Sequence, residues 1–232
     1  LFLKVLYISY DGMTDPLGGS QVMPYLLELS KLGHDISLLS FEKKDRFEAG
    51  QSRLRELCNQ HNIDWFPETY TTKPPVLSTL KDVRKAQKSA VKILIEKQIQ
   101  ITHCRSYIAA LIGLALKRKY QIPFLFDMRG FWADERIEGR IWNPSNPLFR
   151  IIYKYFKRKE TQFFNESTHI ISLTEAGKSI ILKRDYKTVT AEKISVIPCC
   201  TDTTLFAPKI PEAVVNEYRE KLNLAEFHPV IS

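Results

Sequence analysis

The stretch Asp11-Gly12-Met13-Thr14-Asp15-Pro16-Leu17-Gly18-Gly19-Ser20-Gln21-Val22 decides how the chain is read. It follows an apolar run, Leu3 to Tyr10, that suits a buried strand, and it leads into Gln21 to Leu32, whose apolar residues recur at helical spacing. A strand, a glycine-bearing loop and a helix start together offer free backbone N–H groups to an anion. Ser20 is the expected N-cap. Pro24 then falls in the first helical turn, where its missing N–H removes no hydrogen bond. Gly18 and Gly19 let the backbone turn tightly and let a ligand approach without a Cβ in the way. Two readings stay open for the loop alone, a tight turn or an anion site. G-x-G-x-x-G is absent and no G-K-[ST] follows, so it is neither a dinucleotide fingerprint nor a Walker loop.

Outward from this loop, strand and helix patterns alternate to the end of the chain. Strands are expected at Asp35–Phe41, Ile63–Tyr70, Ile101–Arg105, Pro123–Met128, His169–Leu173 and Lys193–Ile197. Helices are expected at Asp45–Asn62, Thr79–Gln98, Tyr107–Tyr120, Pro147–Asn165 and Thr174–Tyr186, with Gly33 closing the first helix. Thr174 should cap its helix, and Arg129 to Asn146 reads as a long irregular segment. Repeated βα units with buried strands predict an α/β fold, a doubly wound, mostly parallel Rossmann-like sheet with helices on both faces. Ligands of such sheets sit outside the carboxyl ends of the strands. That rule selects Asp11–Ser20, His103–Tyr107, Asp127–Asn146, Leu173–Glu175 and Pro198–Phe206.

Composition narrows the class. The 232 residues are 44% hydrophobic and 11% aromatic, which suits a well-cored soluble protein. No apolar run approaches the roughly 20 residues that span a bilayer. The four cysteines show no zinc-finger spacing, and free thiols in a reducing cytoplasm are expected. A net charge of +8 suggests an anionic partner. Nucleic acid ranks last, because no RNA-binding aromatic motif or helix-turn-helix pattern is present. In Pro147–Asn165, Leu148, Phe149, Ile152, Tyr155 and Phe156 share one face, and Arg150, Lys154, Lys157 and Arg158 another. That helix either docks on an anionic membrane surface or covers the sheet with a solvated basic side.

Three segments together resemble one family. The opening D-G-M-T-D-P-L-G-G-S-Q-V with P-Y-L-L-E-L-S-K-L-G-H-D-I is similar to the N-terminal signature of family 4 retaining glycosyltransferases. Ile171–Lys178, I-S-L-T-E-A-G-K, resembles that family's strand-and-helix unit, and Val196–Pro208, V-I-P-C-C-T-D-T-T-L-F-A-P, resembles its hand-over to the linker. The resemblance covers almost the whole chain. It implies the N-terminal, acceptor-side half of a GT-B fold, with residues 1–206 as that domain and 207–232 as linker and start of a donor domain. A nucleotide sugar would be the co-substrate and a hydroxyl the acceptor, on a glycan, a lipid-linked or a small-molecule compound. It implies no metal and no other cofactor, a cytoplasmic site of action, and no activity from this chain alone, since the family's E-x7-E region is not in it.

The resemblance also assigns residues. Gly18 and Gly19 match the family loop near the donor phosphates and the acceptor, where backbone N–H groups stabilise the leaving diphosphate, and Ser20 and Gln21 sit where the family often has Ser and Glu. Asp127-Met128-Arg129-Gly130-Phe131-Trp132-Ala133-Asp134-Glu135 falls where many members carry a histidine; here Arg129 stands at or beside that position. Its rigid bidentate guanidinium suits a phosphate or carboxylate. Asp127, Asp134 and Glu135 orient sugar hydroxyls, or Asp127 simply holds Arg129. His103 and Arg105, in I-T-H-C-R-S, resemble a family strand end; a hydrogen-bonded core histidine is the other reading of His103. Cys199 and Cys200 replace the family's Asn-Gly turn, and Asp202 matches the family aspartate. Thr174 lies at a strand end on the same side. Two other classes stay open, a nicotinamide-dependent oxidoreductase and a non-catalytic binding domain.

Overall fold

The computed structural model describes residues 2–74, 76–184, 186–200 and 210–224. Two compact units are present, Leu1–Cys199 and Cys200–Ser232. The first is a seven-stranded, wholly parallel sheet in the order β3-β2-β1-β4-β5-β6-β7. The strands are β1 (Lys4–Ser9), β2 (Asp35–Glu42), β3 (Ile63–Thr69), β4 (Ile101–Arg105), β5 (Phe124–Asp127), β6 (His169–Ser172) and β7 (Ile194–Val196). Their runs of buried residues reflect cover on both faces, as parallel sheets require.

The helices are α1 (Met23–Lys31), α2 (Lys44–Gln60), α3 (Leu77–Lys97), α4 (Ser106–Tyr120), α5 (Trp132–Glu138), α6 (Pro147–Glu166) and α7 (Glu175–Lys183). One apolar cluster, including Leu26, Leu38, Leu54 and Trp65, sits under α1 and α2. The larger cluster, including Ile93, Ile112, Phe126 and Phe163, packs α3, α4 and α6 on the sheet. Strand order reverses direction between β1 and β4, so the carboxyl ends of those neighbours form the crevice where ligands settle. In the second unit the described residues form α8 (Glu212–Lys221). Asp202 and residues 225–232, within the expected start of a donor domain, lie outside the described residues.

The first helix departs from expectation. Helical backbone begins at Pro16, and Gly19 N–H already donates to Asp15 C=O at 3.0 Å. Ser20 is therefore not an N-cap; its hydroxyl donates back to Pro16 C=O at 2.7 Å from inside the helix. Pro24 then sits in a continuous helix instead of its first turn. Its ring cannot accept the carbonyl four residues earlier. The backbone answers with a π-turn over Gly18–Val22, in which Met23 N–H reaches Gly18 C=O. At the other end Gly33, with φ of +91°, closes α1: Gly33 N–H bonds Ser30 C=O and His34 N–H bonds Leu29 C=O.

Two further boundaries differ. The segment Arg129–Asn146 contains α5, whose first turn carries Asp134 and Glu135 and whose Trp132 stacks on Tyr107 at 5.8 Å between centroids. α7 ends at Lys183 instead of reaching Tyr186.

Candidate active site

The loop after β1 is held from β2. Glu42, at the carboxyl end of β2 and only 2% exposed, accepts Met13 N–H at 2.8 Å and Thr14 N–H at 3.1 Å. The two glycines of the loop do different jobs. Gly18 is buried, and a Cβ there would lie 2.1 Å from Gly12 C=O, so only glycine lets the helix start press on the loop. Gly19 is exposed, and the nearest atom to its would-be Cβ is 3.8 Å away. Gly18 serves packing, whereas the space above Gly19 is open.

The charged residues predicted at strand ends converge. His103 and Arg105 on β4 and Asp127 on β5 are all at most 4% exposed. His103 Nε2 lies 3.6 Å from Asp127 Oδ2, and Arg105 Nη1 lies 3.9 Å from the same oxygen. Arg129 Nη1 is 3.7 Å from Asp127 Oδ1. Tyr7 packs its ring on His103 at 4.5 Å, and burial and the neighbouring Asp127 push its phenol above the usual range. The carboxylate of Asp127 thus sits among three basic side chains.

Three atoms of this cluster, His103 Nε2, Arg105 Nε and Asp127 Oδ1, are buried without a hydrogen-bond partner. A buried polar atom left unsatisfied costs about 1–3 kcal/mol. A polyhydroxylated or anionic ligand offers the donors and acceptors that these atoms require. Backbone strain gathers at the same place. Arg129 has φ of +59° and is the centre of a γ-turn in which Gly130 N–H donates to Met128 C=O at 2.7 Å; Ser106, after β4, has φ of +66°. Conformations of this kind cost of order 1–3 kcal/mol and cluster at active sites.

Two residues of the opening stretch, Gln21 and Asp11, join this cluster. Gln21 Oε1 accepts from Arg105 Nη2 at 3.4 Å and from Arg129 Nη2 at 3.3 Å, tying both guanidinium groups to the start of α1. Asp11 Oδ2 is 3.5 Å from Arg105 Nε. Both stand in the opening motif, but only the sheet register brings them to Arg105. Cys199 Sγ, exposed at the end of the first unit, accepts from Arg129 Nη2 at 3.0 Å.

Other expected site residues lie elsewhere. Asp134 accepts from Tyr153 Oη at 2.8 Å and Lys157 Nζ at 2.9 Å and lies 3.6 Å from Arg184, in a polar cavity it shares with Glu160. Burial opposes its charge, yet Lys157, Tyr153 and Arg184 together hold its carboxyl below the usual range. Its position is explained as a brace between α5, α6 and α7. Glu135 lines the same cavity, with Oε1 folded back against Gly130. Thr174 caps α7 as expected, accepting Gly177 N–H at 3.0 Å. Among the described residues no three His, Cys, Asp or Glu side chains gather as a metal group.

A wider groove opens from the same crevice. It encloses about 820 Å³ and runs from Asp11 and Arg105 between α3, α4 and α6.

Comparison with known proteins gives this geometry a setting. The profile of Glycosyltransferase Family 4 matches residues 20–205. Solved structures share the fold at low identity. HepE from Anabaena, in complex with UDP and glucose, is 14% identical with a TM-score of 0.55, covering 96% of this chain and 51% of its own. Sucrose-phosphate synthase from Thermosynechococcus elongatus is 12% identical with a TM-score of 0.62, covering 96% and 53%. UDP-GlcNAc 2-epimerase from Neisseria meningitidis, bound to UDP-GlcNAc, is 12% identical with a TM-score of 0.52, covering 95% and 54%. The chain therefore spans about half the length of these structures. No curated protein sequence matches it.

Proposed function

The chain belongs to Glycosyltransferase Family 4, and from that premise we propose that it forms the acceptor-side half of a nucleotide-sugar-dependent retaining glycosyltransferase. The fold alone does not choose the reaction, since an epimerase shares it. The family match supports glycosyl transfer over epimerisation. The observation that carries the site is the convergence of His103, Arg105 and Asp127, each with a buried polar atom that makes no hydrogen bond, at the carboxyl ends of β4 and β5 beside β1.

In this proposal a second domain binds the donor and closes over the crevice. Arg105 and Arg129, oriented by Asp127 and Gln21, present guanidinium groups toward the charge that builds on the departing diphosphate. Gly19 leaves space for the donor phosphates to approach the loop. Asp127 and His103 position the acceptor hydroxyl for attack from the face the diphosphate leaves, so that configuration at the anomeric carbon is kept. The enzyme acts in the cytoplasm at the inner membrane face, where α6 keeps Leu148, Ile151 and Tyr155 exposed beside Lys154 and Arg158.

The test is transfer itself. The protein carrying both halves should consume nucleotide sugar only with an acceptor, and NMR of the product should show retained configuration, whereas the 232-residue chain should turn nothing over. An inverted product, or no consumption with any acceptor class, contradicts the proposal.

A further inference from the structure

The buried carboxylate behind the β1–α1 loop is held by neutral donors. Glu42 Oε1 accepts from Met13 N–H at 2.8 Å and from Ser40 Oγ at 2.6 Å. Its Oε2 accepts from Thr14 N–H at 3.1 Å and from Thr14 Oγ1 at 2.5 Å. Lys43, next in the chain, pairs instead with Asp15 at 2.7 Å, so these two residues grip the loop at Met13, Thr14 and Asp15. Trp65 of β3 donates its Nε1–H to Ser40 Oγ at 2.9 Å, which leaves the Ser40 hydroxyl proton for Glu42. A Cβ on Gly12 would stand 2.8 Å from Glu42 Oε2 and 2.9 Å from Phe41 C=O, so the carboxylate closes on the loop only over a glycine. An ionised carboxylate is acceptor-only and can use every one of these donors. A neutral amide cannot.

The loop so held leads to the guanidinium groups of the crevice. Asp11 N–H donates to Ser9 Oγ at 3.1 Å, and Asp11 Oδ2 lies 3.5 Å from Arg105 Nε. Asp15 N–H closes a turn on Gly12 C=O at 3.3 Å, and the helix that follows brings Gln21 Oε1 to both Arg105 and Arg129. Glu42 itself is buried, so its reach into the crevice runs through the loop.

We propose that Glu42 is a positioning residue for transfer: its charge sets the loop, and the loop sets Arg105 and Arg129 through Asp11 and Gln21. For its effect on turnover this rests on the glycosyltransferase reading. The guanidinium groups there meet charge that builds only as the diphosphate leaves. Loss of their alignment therefore lowers kcat and leaves KM for the donor close to the parent's.

Glu42→Gln separates charge from shape. Whichever way the amide is turned, its NH2 group meets a backbone N–H, that of Met13 or that of Thr14, and the loop loses one anchor. Thr14→Val removes only the hydroxyl donor and is a milder form of the same change. Ile93→Val, in the larger core cluster near the end of α3 that leads to the amino end of β4, is the control for lost stability alone.

The first measurement needs no turnover. In nitrogen-15 NMR of the 232-residue chain, the Arg105 Nε–H resonance, assigned with Arg105→Lys, should move in Glu42→Gln, move less in Thr14→Val and hold in Ile93→Val. The second measurement uses the two-domain protein. Glu42→Gln should lose about tenfold to a hundredfold in kcat. Its donor KM should stay within about twofold of the parent's. Ile93→Val, compared at equal folded fraction, should keep both constants. If Glu42→Gln does not fold, the Arg105 shift and the smaller kcat loss in Thr14→Val decide. An Arg105 resonance that holds overturns the proposal, as does parental kcat or a kcat loss that Ile93→Val reproduces. A raised KM with kcat kept also overturns it, because the loop would then serve binding alone. A parent that consumes no nucleotide sugar removes the glycosyltransferase reading, and the NMR comparison then decides the link from Glu42 to Arg105 by itself.

Discussion

Arg105 and Asp127 are register partners across the β4–β5 ladder, and their side chains, 5% and 6% exposed, stand 3.9 Å apart at the carboxyl end of the sheet. The pair is close enough to couple and too long for a good hydrogen bond. Arg105 Nε and Asp127 Oδ1 lie 3.5 Å from Asp11 and 3.7 Å from Arg129, and neither makes a hydrogen bond.

The coupling predicts non-additivity. Removing one member of a buried pair typically costs about 3–5 kcal/mol, because the other charge is left uncompensated. Asp127→Ala should fall in that range, since His103, Arg105 and Arg129 all lose the same carboxylate. Arg105→Ala combined with Asp127→Ala should cost less than the sum of the singles. Urea denaturation of the four members of the cycle measures this. A coupling energy near zero would show that the residues are neighbours without being partners.

The two glycines of the opening loop should separate under substitution. Gly18→Ala forces a Cβ to within 2.1 Å of Gly12 C=O and should destabilise by about 1–3 kcal/mol. Gly19→Ala meets nothing closer than 3.8 Å and should stay within about 0.5 kcal/mol of the parent. Thermal melts of both variants decide it, and equal losses would mean that the π-turn at Gly18–Val22 is misplaced.

Asp134 should contribute stability that acid removes. Its folded-state carboxyl is held below the ordinary range, so its contribution is fully present above the unfolded value and disappears as pH falls through the folded one. At neutral pH Asp134→Asn should cost about 1–3 kcal/mol through its charged hydrogen bonds. The gap between parent and variant should close as pH falls through the lowered folded-state value. A gap that is constant from pH 7 to low pH would mean that the ion pairs with Lys157 and Arg184 contribute nothing.

Thiol reactivity should divide the four cysteines evenly. Burial pushes the Cys58 thiol up to about 11 and the Cys104 thiol up to about 12, leaving little thiolate at neutral pH. Cys199 and Cys200 are exposed. Peptide mapping after brief alkylation of the native chain should find label on Cys199 and Cys200 and reach Cys58 and Cys104 only after denaturation.

Much of this was legible in the residues. Buried parallel strands announce themselves as apolar runs, and Thr174 and Gly33 mark helix ends by local chemistry that survives folding. The start of α1 was not legible, because two prolines, Pro16 and Pro24, both suit a first turn and only the packing of Gly18 on Gly12 selects the earlier one. The short helix α5 was missed because tertiary contacts fix it, Trp132 on Tyr107 and Asp134 on α6. Those same contacts separate Asp134 from the Asp127 cluster. Spacing along one strand end suggests a shared site, whereas the helix that intervenes carries the second carboxylate to another cavity. Asp11 and Gln21 were readable as motif residues, but their service to Arg105 depends on the β1–β4 register.

The central claim is that the basic groups around Asp127 act on the donor diphosphate and the acceptor. Arg129→Ala in the two-domain protein tests it most directly, because Arg129 is the least buried of these groups, with 21% of its side chain exposed, and its loss should leave the fold standing. Removing a donor aimed at developing charge costs about 10²–10³-fold in kcat. The account predicts a loss of that order in nucleotide-sugar turnover, with the melting temperature held. Turnover and acceptor affinity equal to the parent's would contradict it.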